Sequence, residues 1–417
     1  MRPTISLAAF ISAVVILAAC GGGDPIATDT NGSIRGTITD NSGAPVADAA
    51  VELSGNAQAA RTTNSSANGD YTFTKVPPGT YTLAVTSAAG FDIGAAGTTS
   101  VTVTGGAQAN ASAFVLNRVT AAGEWGRRAN LLAPNSEFAL AEANGKLYVM
   151  GGYPSNRVTS RTVQIYDIAS DSWQLGPQLP QPNNHGMAAA VNGKIYLIGG
   201  QLTADQEGYV DTVYELDPAV GAWVEKASMP TARSGGVAVA LDGKIYVAGG
   251  RLPRGSDFAV YDPAADQWEV LPDLPSQRNH ITGAAINGRI HIVGGRLGNG
   301  LSPLKTTAHE VFDPQTRTWT TAAPMLRGRS GMNGVVALGC FHVWGGEAPT
   351  GMTPDHDYYD PRTDKWSSLR NMPIPIHGVV GSAFVDGLIW VSGGGTAVGG
   401  ASGSLHNQTY QPAVSCE

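Results

Sequence analysis

The segment NGKIYLIGGQ, Asn192–Gln201, has the pattern of a single β-strand with a turn at each end. The Asn-Gly pair that opens it predicts a two-residue hairpin turn, because such turns need positive φ at both central residues. A double Gly closes it, where crowded backbone also calls for positive φ. Closely similar segments begin at Asn144, Asp242, Asn287, Leu338 and Asp386, so the unit occurs six times with a period of 45 to 51 residues.

Each repeat predicts four short strands. In the second repeat these are MAAAV, KIYLI, VYELD and AWVEKA, within 187–227. The small side chains of the first strand fit the tapering space around a central channel. A Trp near the start of each fourth strand covers apolar area between neighbouring units; these are Trp173, Trp223, Trp268, Trp319 and Trp366. Repeats of this length and content predict an all-β propeller.

The repeated double Gly, the Tyr-Asp ends of third strands and the Trp resemble the kelch repeat family over nearly all of Glu124 to Pro412. The sixth copy ends without a Trp after Tyr410, whereas Trp125 stands alone before the first copy. We therefore predict a six-bladed propeller over 125–417, in which the strand around Trp125 completes the sixth blade and removes the open edges.

A different pattern precedes the propeller. Residues 32–117 contain short alternating segments rich in Thr, Val, Tyr and Phe, separated by turn clusters such as DNSGAP and VPPGT, which predict a small β-sandwich. GTITDNSGAPVADAAVEL and NGDYTFTKVPPGTYTLAVT resemble the carboxypeptidase regulatory-like or Cna-B-like domains. This domain is interpreted as a spacer, joined to the propeller by a linker over 118–124.

The N-terminal sequence MRPTISLAAFISAVVILAAC has one positive charge, a short apolar run and small residues before Cys20, which is typical of an export signal. It resembles a bacterial lipoprotein signal, with residues 1–19 removed, Cys20 lipidated and 20–31 forming a flexible tether. The resemblance implies an exported protein anchored to the cell envelope. Gly21 after Cys20 favours the outer membrane over the inner one in a cell that has both.

Composition excludes some functions and leaves others open. The formal net charge of -7 argues against a nucleic-acid partner, because phosphate binding needs a basic surface. Export permits disulfides. Cys340 follows a first-to-second-strand turn and Cys416 follows a third strand, which places both on one face of the disc, so a disulfide between them is a hypothesis.

The family resemblance implies that ligands meet the face formed by the loops between blades and after the second strands. The candidate ligand-binding residues at these positions are Tyr153, His185, Arg233, Arg251, His280, Arg278, Arg296, Arg329, Glu347 and His377. Five of them are Arg residues of the third to fifth copies. Converging guanidinium groups bind carboxylates well, so we predict an anionic glycan or protein ligand. Arg233, Arg278 and Arg329 have an equally open structural alternative, in which they hold neighbouring loops.

Other side chains at this face allow weaker hypotheses. His185, His280 and His377 belong to different blades without short ligand spacing, so they are interpreted as solvent-facing loop residues, with no metal or other cofactor. Glu347 could act with His280 or His377 in acid–base chemistry only if the fold brings them within hydrogen-bond reach. Catalytic residues cannot be assigned from the sequence.

Three functions follow from these observations. The first is a lipid-anchored binding module. The second is an enzyme similar to the N-acetylneuraminate epimerase (sialate mutarotase) family, which shares the repeat and the Arg and Glu residue types. The third is a non-catalytic scaffold in an envelope complex. A galactose oxidase-like copper site is rejected, because no Tyr-His pair occurs and neither remaining Cys is suitably placed.

Overall fold

The structure is a computed structural model that describes residues 30–40, 43–88, 91–92, 97–118, 123–154, 156–204, 207–300, 304–348 and 351–417. The proposed signal, Cys20 and most of the tether lie outside the described residues. Regular secondary structure in the described part consists of β-strands. No described helix is long and apolar enough to span a membrane.

The first domain consists of two packed sheets, as the alternating pattern predicted. Its strands are β1 (Gly32–Asp40), β2 (Ala50–Gly55), β3 (Gln58–Asn64), β4 (Asp70–Val76), β5 (Gly79–Ser87), β6 (Phe91–Asp92), β7 (Thr98–Val103), β8 (Gln108–Asn110) and β9 (Phe114–Arg118). One sheet has the order β4-β1-β9-β6, with β8 beside β1, and the other has the order β3-β2-β5-β7. Their inner faces bury one apolar core that includes Ile38, Leu83 and Phe114. Strands β3, β6 and β8 were not predicted from the sequence.

Six four-stranded blades follow, five of them built from consecutive segments. Blade 1 contains β11 (Phe138–Ala143), β12 (Lys146–Met150), β13 (Val163–Asp167) and β14 (Ser172–Leu175). Blade 2 contains β15 (Met187–Val191), β16 (Lys194–Ile198), β17 (Val213–Asp217) and β18 (Ala222–Lys226). Blade 3 contains β19 (Val237–Leu241), β20 (Lys244–Ala248), β21 (Phe258–Asp262) and β22 (Gln267–Val270).

Blade 4 contains β23 (Thr282–Ile286), β24 (Arg289–Val293), β25 (His309–Asp313) and β26 (Thr318–Thr321). Blade 5 contains β27 (Asn333–Ala337), β28 (Cys340–Trp344), β31 (His356–Asp360) and β32 (Lys365–Ser368), with the small hairpin β29 (Glu347–Ala348) and β30 (Gly351–Met352) between them. Strand β33 (Val379–Val380) pairs in parallel with β11 of blade 1.

Blade 6 closes the ring as predicted. It combines β34 (Ala383–Val385), β35 (Leu388–Ser392) and β36 (Asn407–Gln411) with β10 (Glu124–Arg127), which comes from the start of the domain. Trp125 lies opposite Tyr410 in the β10–β36 pair. The Trp125 indole donates a hydrogen bond of 3.0 Å to the carbonyl of Arg370, in the neighbouring blade 5 segment. The first and last strands of the propeller therefore share one sheet, which confirms the six-bladed closure.

Repeat features take the backbone conformations expected of them. Asn192 and Gly193 of the opening segment have φ of 52° and 75°, and Gly199 and Gly200 have φ of 59° and 104°. A Cβ on Gly199 would lie 2.5 Å from the carbonyl oxygen of Arg233. First strands of all six blades line a channel of about 400 Å³ with residues such as Ala141 and Ala285. The small side chains are thus required by the limited space around the axis.

The C-terminal tail is fixed by a disulfide between Cys340 and Cys416, whose Cα atoms are 5.0 Å apart. The backbone N–H of Cys416 also donates to the carbonyl of Leu338, in the turn before β28. On another part of the surface, the Arg327 guanidinium donates to the carbonyl of Thr86, which links blade 5 to the sandwich.

Candidate functional site

One repeated backbone contact orients the residues at one mouth of the channel. In every blade, the residue after the double Gly donates its N–H to the carbonyl of a residue before a first strand, at 2.7–2.9 Å. The six pairs are Tyr153–Ser136, Gln201–Asn184, Arg251–Ser234, Arg296–Asn279, Glu347–Ser330 and Gly395–His377. The residue after the double Gly is therefore held at the mouth, as the sequence argument assumed.

A second set of contacts closes a ring around the channel axis, which we call the central ring. It consists of the residue that directly follows the carbonyl acceptor of each pair above. The backbone N–H of each member donates to the carbonyl of the member in the neighbouring blade at 2.5–3.0 Å. Its six members are Glu137, His185, Gly235, His280, Gly331 and Gly378. Six consecutive hydrogen bonds return to the starting residue, so all six blades are joined at the mouth.

All members of the central ring have positive φ, between 50° and 69°. Glycine adopts this conformation freely, but other residues pay about 1–2 kcal/mol. Glu137, His185 and His280 nevertheless occupy three of the six positions. Strained non-Gly residues cluster at functional sites, and these three side chains meet there, with one ligand atom from each within 4.8 Å of the others.

A pocket of about 210 Å³ opens at this mouth. It is lined by residues that include Glu137, Tyr153, His185, Arg251, Arg296 and Glu347, and each of these six is no more than 4% exposed. Burial, with a smaller effect of Glu137, raises the pKa of Tyr153 to about 12. The Tyr153 phenol therefore stays protonated and able to donate a hydrogen bond.

Two imidazoles at the mouth are oriented by the Asn residue that precedes each. Asn184 Nδ2 donates to three oxygen atoms, so its Oδ1 accepts from His185 Nδ1 at 2.6 Å. Asn279 Nδ2 donates to the carbonyl of Gly298, and its Oδ1 lies 2.6 Å from His280 Nδ1. Both Nδ1 atoms therefore carry hydrogen, and in the neutral ring each Nε2 presents a lone pair. Burial lowers the pKa of His185 to about 3 and that of His280 well below its usual value.

Arg251 and Arg296 place their guanidinium groups beside these lone pairs. Arg251 Nη2 lies 3.0 Å from His185 Nε2, and Arg296 Nη2 lies 2.6 Å from His280 Nε2. Arg296 Nη1 also donates to Glu347 Oε2 at 3.0 Å. The fold thus brings two of the five predicted Arg residues, Glu347, Tyr153 and the imidazoles into one site.

His377 lies between the two carboxylates of the site. Its Nδ1 lies 3.0 Å from the carbonyl of Gly395, and its Nε2 lies 3.4 Å from Glu137 Oε1 and 3.6 Å from Glu347 Oε1. Burial acts to lower the pKa of His377, but the two carboxylates raise it above its usual value. The fold therefore brings Glu347 to 3.6 Å from His377, which is just beyond hydrogen-bond distance.

Arg233, Arg278 and Arg329 are not in the pocket, which corrects their assignment as ligand contacts. They are 1%, 0% and 0% exposed, respectively. Arg233 donates to the carbonyls of Val247 and Asp257. Arg278 pairs with Glu310, and Arg329 pairs with Asp357 at 2.7 Å. These three Arg residues support the interior of their blades, so the structural alternative holds.

The interpretation of the three histidines as solvent-facing is also wrong. His185, His280 and His377 are 4%, 8% and 2% exposed, because the central ring folds the loops over the channel. Separation in sequence was the argument against a metal site, and it fails because residues from different blades meet at the axis. Glu137 was not among the predicted site residues, although its position is equivalent to those of His185 and His280.

Comparisons with known proteins support the two-domain reading. Residues 33–117 match the carboxypeptidase regulatory-like domain. Residues 129–295 match the KLHDC2/KLHL20/DRC7 Kelch-repeats domain, and residues 277–326 match the Kelch motif.

Similar curated proteins match only within the repeats. Kelch-like protein 23 of Mus musculus is 34% identical over 80 residues, which is 18% of this chain and 14% of that protein. Kelch-like protein 36 of Bos taurus is 43% identical over 56 residues, which is 13% of this chain and 9% of that protein. Kelch-like protein 7 of Rattus norvegicus is 33% identical over 103 residues, which is 24% of this chain and 17% of that protein. The chain thus covers less than a fifth of these relatives.

Proposed function

We propose that the propeller is a binding module for an anionic ligand. The chain carries kelch repeats after a carboxypeptidase regulatory-like domain. The observation that carries this proposal is the pair of buried guanidinium groups, Arg251 and Arg296, in one pocket with the Tyr153 hydroxyl. Two guanidinium groups and a phenol supply several hydrogen-bond donors, a combination suited to a carboxylate. The ligand class is an acidic sugar of a glycan or an acidic side chain of a protein.

The proposed setting is the cell envelope. The apolar N-terminal run that ends at Cys20 supports export and lipid anchoring, because several acyl chains on one residue give stable attachment. The sandwich would then separate the propeller from the membrane surface. Metabolic labelling with a fatty acid tests this proposal: the full chain should incorporate label, and Cys20→Ser should not. Equal labelling of both chains would contradict lipidation at Cys20.

Ligand binding is best tested by NMR line broadening with matched acidic and neutral sugars. Glucuronate and N-acetylneuraminate should broaden in the presence of the protein, whereas glucose and N-acetylglucosamine should not. Arg251→Gln should abolish the effect. Arg254→Gln is the matched control, because Arg254 is half exposed and pairs with Asp257 outside the pocket. Equal broadening of neutral and acidic sugars, or no effect of Arg251→Gln, would contradict the proposal.

A mutarotase-like reaction is a second candidate, favoured by the position of His377 between Glu137 and Glu347. Interconversion of sugar anomers needs a general acid for the ring oxygen and a general base for the anomeric hydroxyl. The same NMR samples report the rate of anomer interconversion. A faster rate with acidic sugars that Glu347→Gln removes would establish an isomerase. Binding without acceleration would leave the binding module, and the absence of both would favour a scaffold that docks protein partners.

A further inference from the structure

We propose that Glu137, His185 and His280 bind a divalent transition-metal ion on the axis of the propeller. Glu137 Oε2 and His185 Nε2 are 3.1 Å apart, and the ligand atoms of all three residues lie within 4.8 Å of one another. Two ligands about 2.0–2.1 Å from a tetrahedral zinc ion are separated by roughly 3.4 Å. The separation of Glu137 Oε2 and His185 Nε2 is therefore already close to that of two ligands on one ion.

Each ligand is already oriented by a neighbouring group. Asn184 and Asn279 hold the Nδ1 atoms of the two imidazoles, so that each ring presents its lone pair at Nε2. His377 faces Glu137 Oε1 at 3.4 Å, and the opposite oxygen, Oε2, faces His185. Metal-binding histidines normally donate their other ring N–H to an oxygen atom, as both imidazoles do here to an Asn Oδ1. This hydrogen bond fixes the ring and its tautomer. Outer partners of this kind are thus present for both imidazoles, and His377 lies beside the carboxylate.

The backbone supports the same conclusion independently of the side-chain contacts. The three proposed ligands are the three members of the central ring that are not Gly, and each has a φ between 50° and 55°. A Gly at these positions would remove the strain. A shared ligand explains why side chains occupy these strained positions and lie within 4.8 Å of one another.

Two imidazoles and one carboxylate suit a particular class of ion. This donor set binds zinc or iron(II) and leaves further coordination positions open. The pocket adjoins these positions, because Glu137 and His185 are among its lining residues. A metal ion here would therefore be accessible to a ligand that enters the mouth.

Arg251 and Arg296 determine how a metal ion would affect the pocket. Their Nη2 groups donate hydrogen bonds to the Nε2 lone pairs of His185 and His280 in this structure. A lone pair cannot serve a guanidinium and a metal ion at once, so metal binding requires both groups to turn away. The resulting site would hold a divalent cation and two guanidinium groups against the carboxylates of Glu137 and Glu347. Its excess positive charge would favour an anion that bridges the metal ion and the arginines.

Metal binding can be measured without any anionic ligand, so its failure is distinguishable from failure of the proposed function. The full chain is purified in detergent without a histidine tag, treated with a chelator and titrated with Co²⁺ and Zn²⁺. We expect one equivalent of Co²⁺ to give visible absorption bands, and Zn²⁺ to displace it. Glu137→Gln and His280→Gln should each lower the affinity at least about tenfold, and His406→Gln, outside the central ring, should leave it unchanged.

Two further measurements keep the test decisive. Asn279→Ala leaves all three ligands in place, and loss of an outer contact should lower the affinity by about 10- to 100-fold. Zinc should also raise the melting temperature of the unsubstituted chain, which reports binding even if a ligand variant fails to fold. No saturable Co²⁺ signal and no thermal shift, or equal affinity in Glu137→Gln and His406→Gln, would overturn the proposal.

Discussion

At the scale of single residues, hydrogen-bond partners distinguish the roles of arginines that are all buried. Arg329 is fully buried and donates to Asp357 and to the carbonyls of Asp355 and Val343. Arg296 belongs to the mouth, where its neighbours are Glu347 and His280. The sequence left a structural role open for Arg329, which precedes a first strand, and favoured ligand contact for Arg296, which follows a double Gly. The direction of each side chain depends on the packing of adjacent blades.

Replacing Arg329 by Met should lower the free energy of unfolding by about 3–5 kcal/mol, because Asp357 would remain buried without its partner. The double change Arg329→Met/Asp357→Asn should recover part of that loss. Arg317→Met is the control, since the exposed Arg317–Glu269 pair should contribute no more than about 1 kcal/mol. Urea denaturation measures all three. A double variant no more stable than Arg329→Met would contradict this account of the pair.

At the scale of elements, the central ring connects backbone geometry to the site. Gly378 and Gly331 both have positive φ, of 67° and 63°. Their surroundings differ, because a Cβ on Gly378 would lie 2.7 Å from the carboxylate carbon of Glu137. The nearest atom to a Cβ on Gly331 would be 3.6 Å away. These two positions therefore allow strain to be separated from displacement of Glu137.

Both Gly378→Ala and Gly331→Ala should lower stability by about 1–2 kcal/mol through backbone strain. Only Gly378→Ala should also weaken Co²⁺ binding, because the new methyl group must displace Glu137. Urea denaturation and the Co²⁺ titration measure the two effects. Equal loss of metal affinity in both variants would show that ring strain, and not the position of Glu137, controls the site.

Two equivalent histidine pairs join the second and third strands of blades 4 and 5. His291 Nδ1 lies 2.8 Å from His309 Nε2, and His342 Nδ1 lies 3.1 Å from His356 Nε2. Burial lowers the pKa of His291 and His342 to about 3 and that of His309 to about 4. Burial also lowers the pKa of His356 well below its usual value. These pairs are thus neutral parts of the sheet interior at neutral pH.

Stability should fall steeply as the pH drops below about 6.5. The unfolded chain binds protons at these histidines below about pH 6.5, whereas the folded chain does not bind them until about pH 3–4. Each histidine therefore lowers the free energy of unfolding by up to about 1.4 kcal/mol for every unit by which the pH falls in this range. His342→Gln should reduce the slope of the free energy of unfolding between pH 6 and pH 4.5. Urea denaturation at several pH values measures this slope. An unchanged slope would mean that other groups control acid unfolding.

At the scale of the whole molecule, closure depends on contacts between distant parts of the chain. Strand β10 pairs with β36 across the whole propeller sequence. The Cys340–Cys416 disulfide closes a loop with a sequence separation of 76 residues and ties the tail to blade 5. Closure by β10 was predictable, because an unmatched Trp125 complemented a last repeat without its Trp. The disulfide was only a hypothesis, since two thiols far apart in sequence do not define a distance.

Removing the disulfide should lower the free energy of unfolding by up to about 4 kcal/mol, as expected for a loop of this length. The double variant Cys340→Ser/Cys416→Ser should show this loss in urea and should not respond to a reductant. The unsubstituted chain should lose the same stability on reduction. A chain whose denaturation midpoint is insensitive to reductant would contradict this role.

The architecture was predictable from the sequence: most strands and turns, the six-fold repeat and its closure. These features are written in local patterns, namely double Gly residues, Asn-Gly turns and periodic Trp, whose physical causes act within a few residues or between adjacent repeats. The sequence also indicated which loop positions face the mouth. Which side chains meet there depends on the three-dimensional arrangement of the blades. Glu137, His185 and His280 come from three blades, and they converge because six backbone hydrogen bonds close a ring on the axis. Nothing in the spacing along the chain encodes that distance.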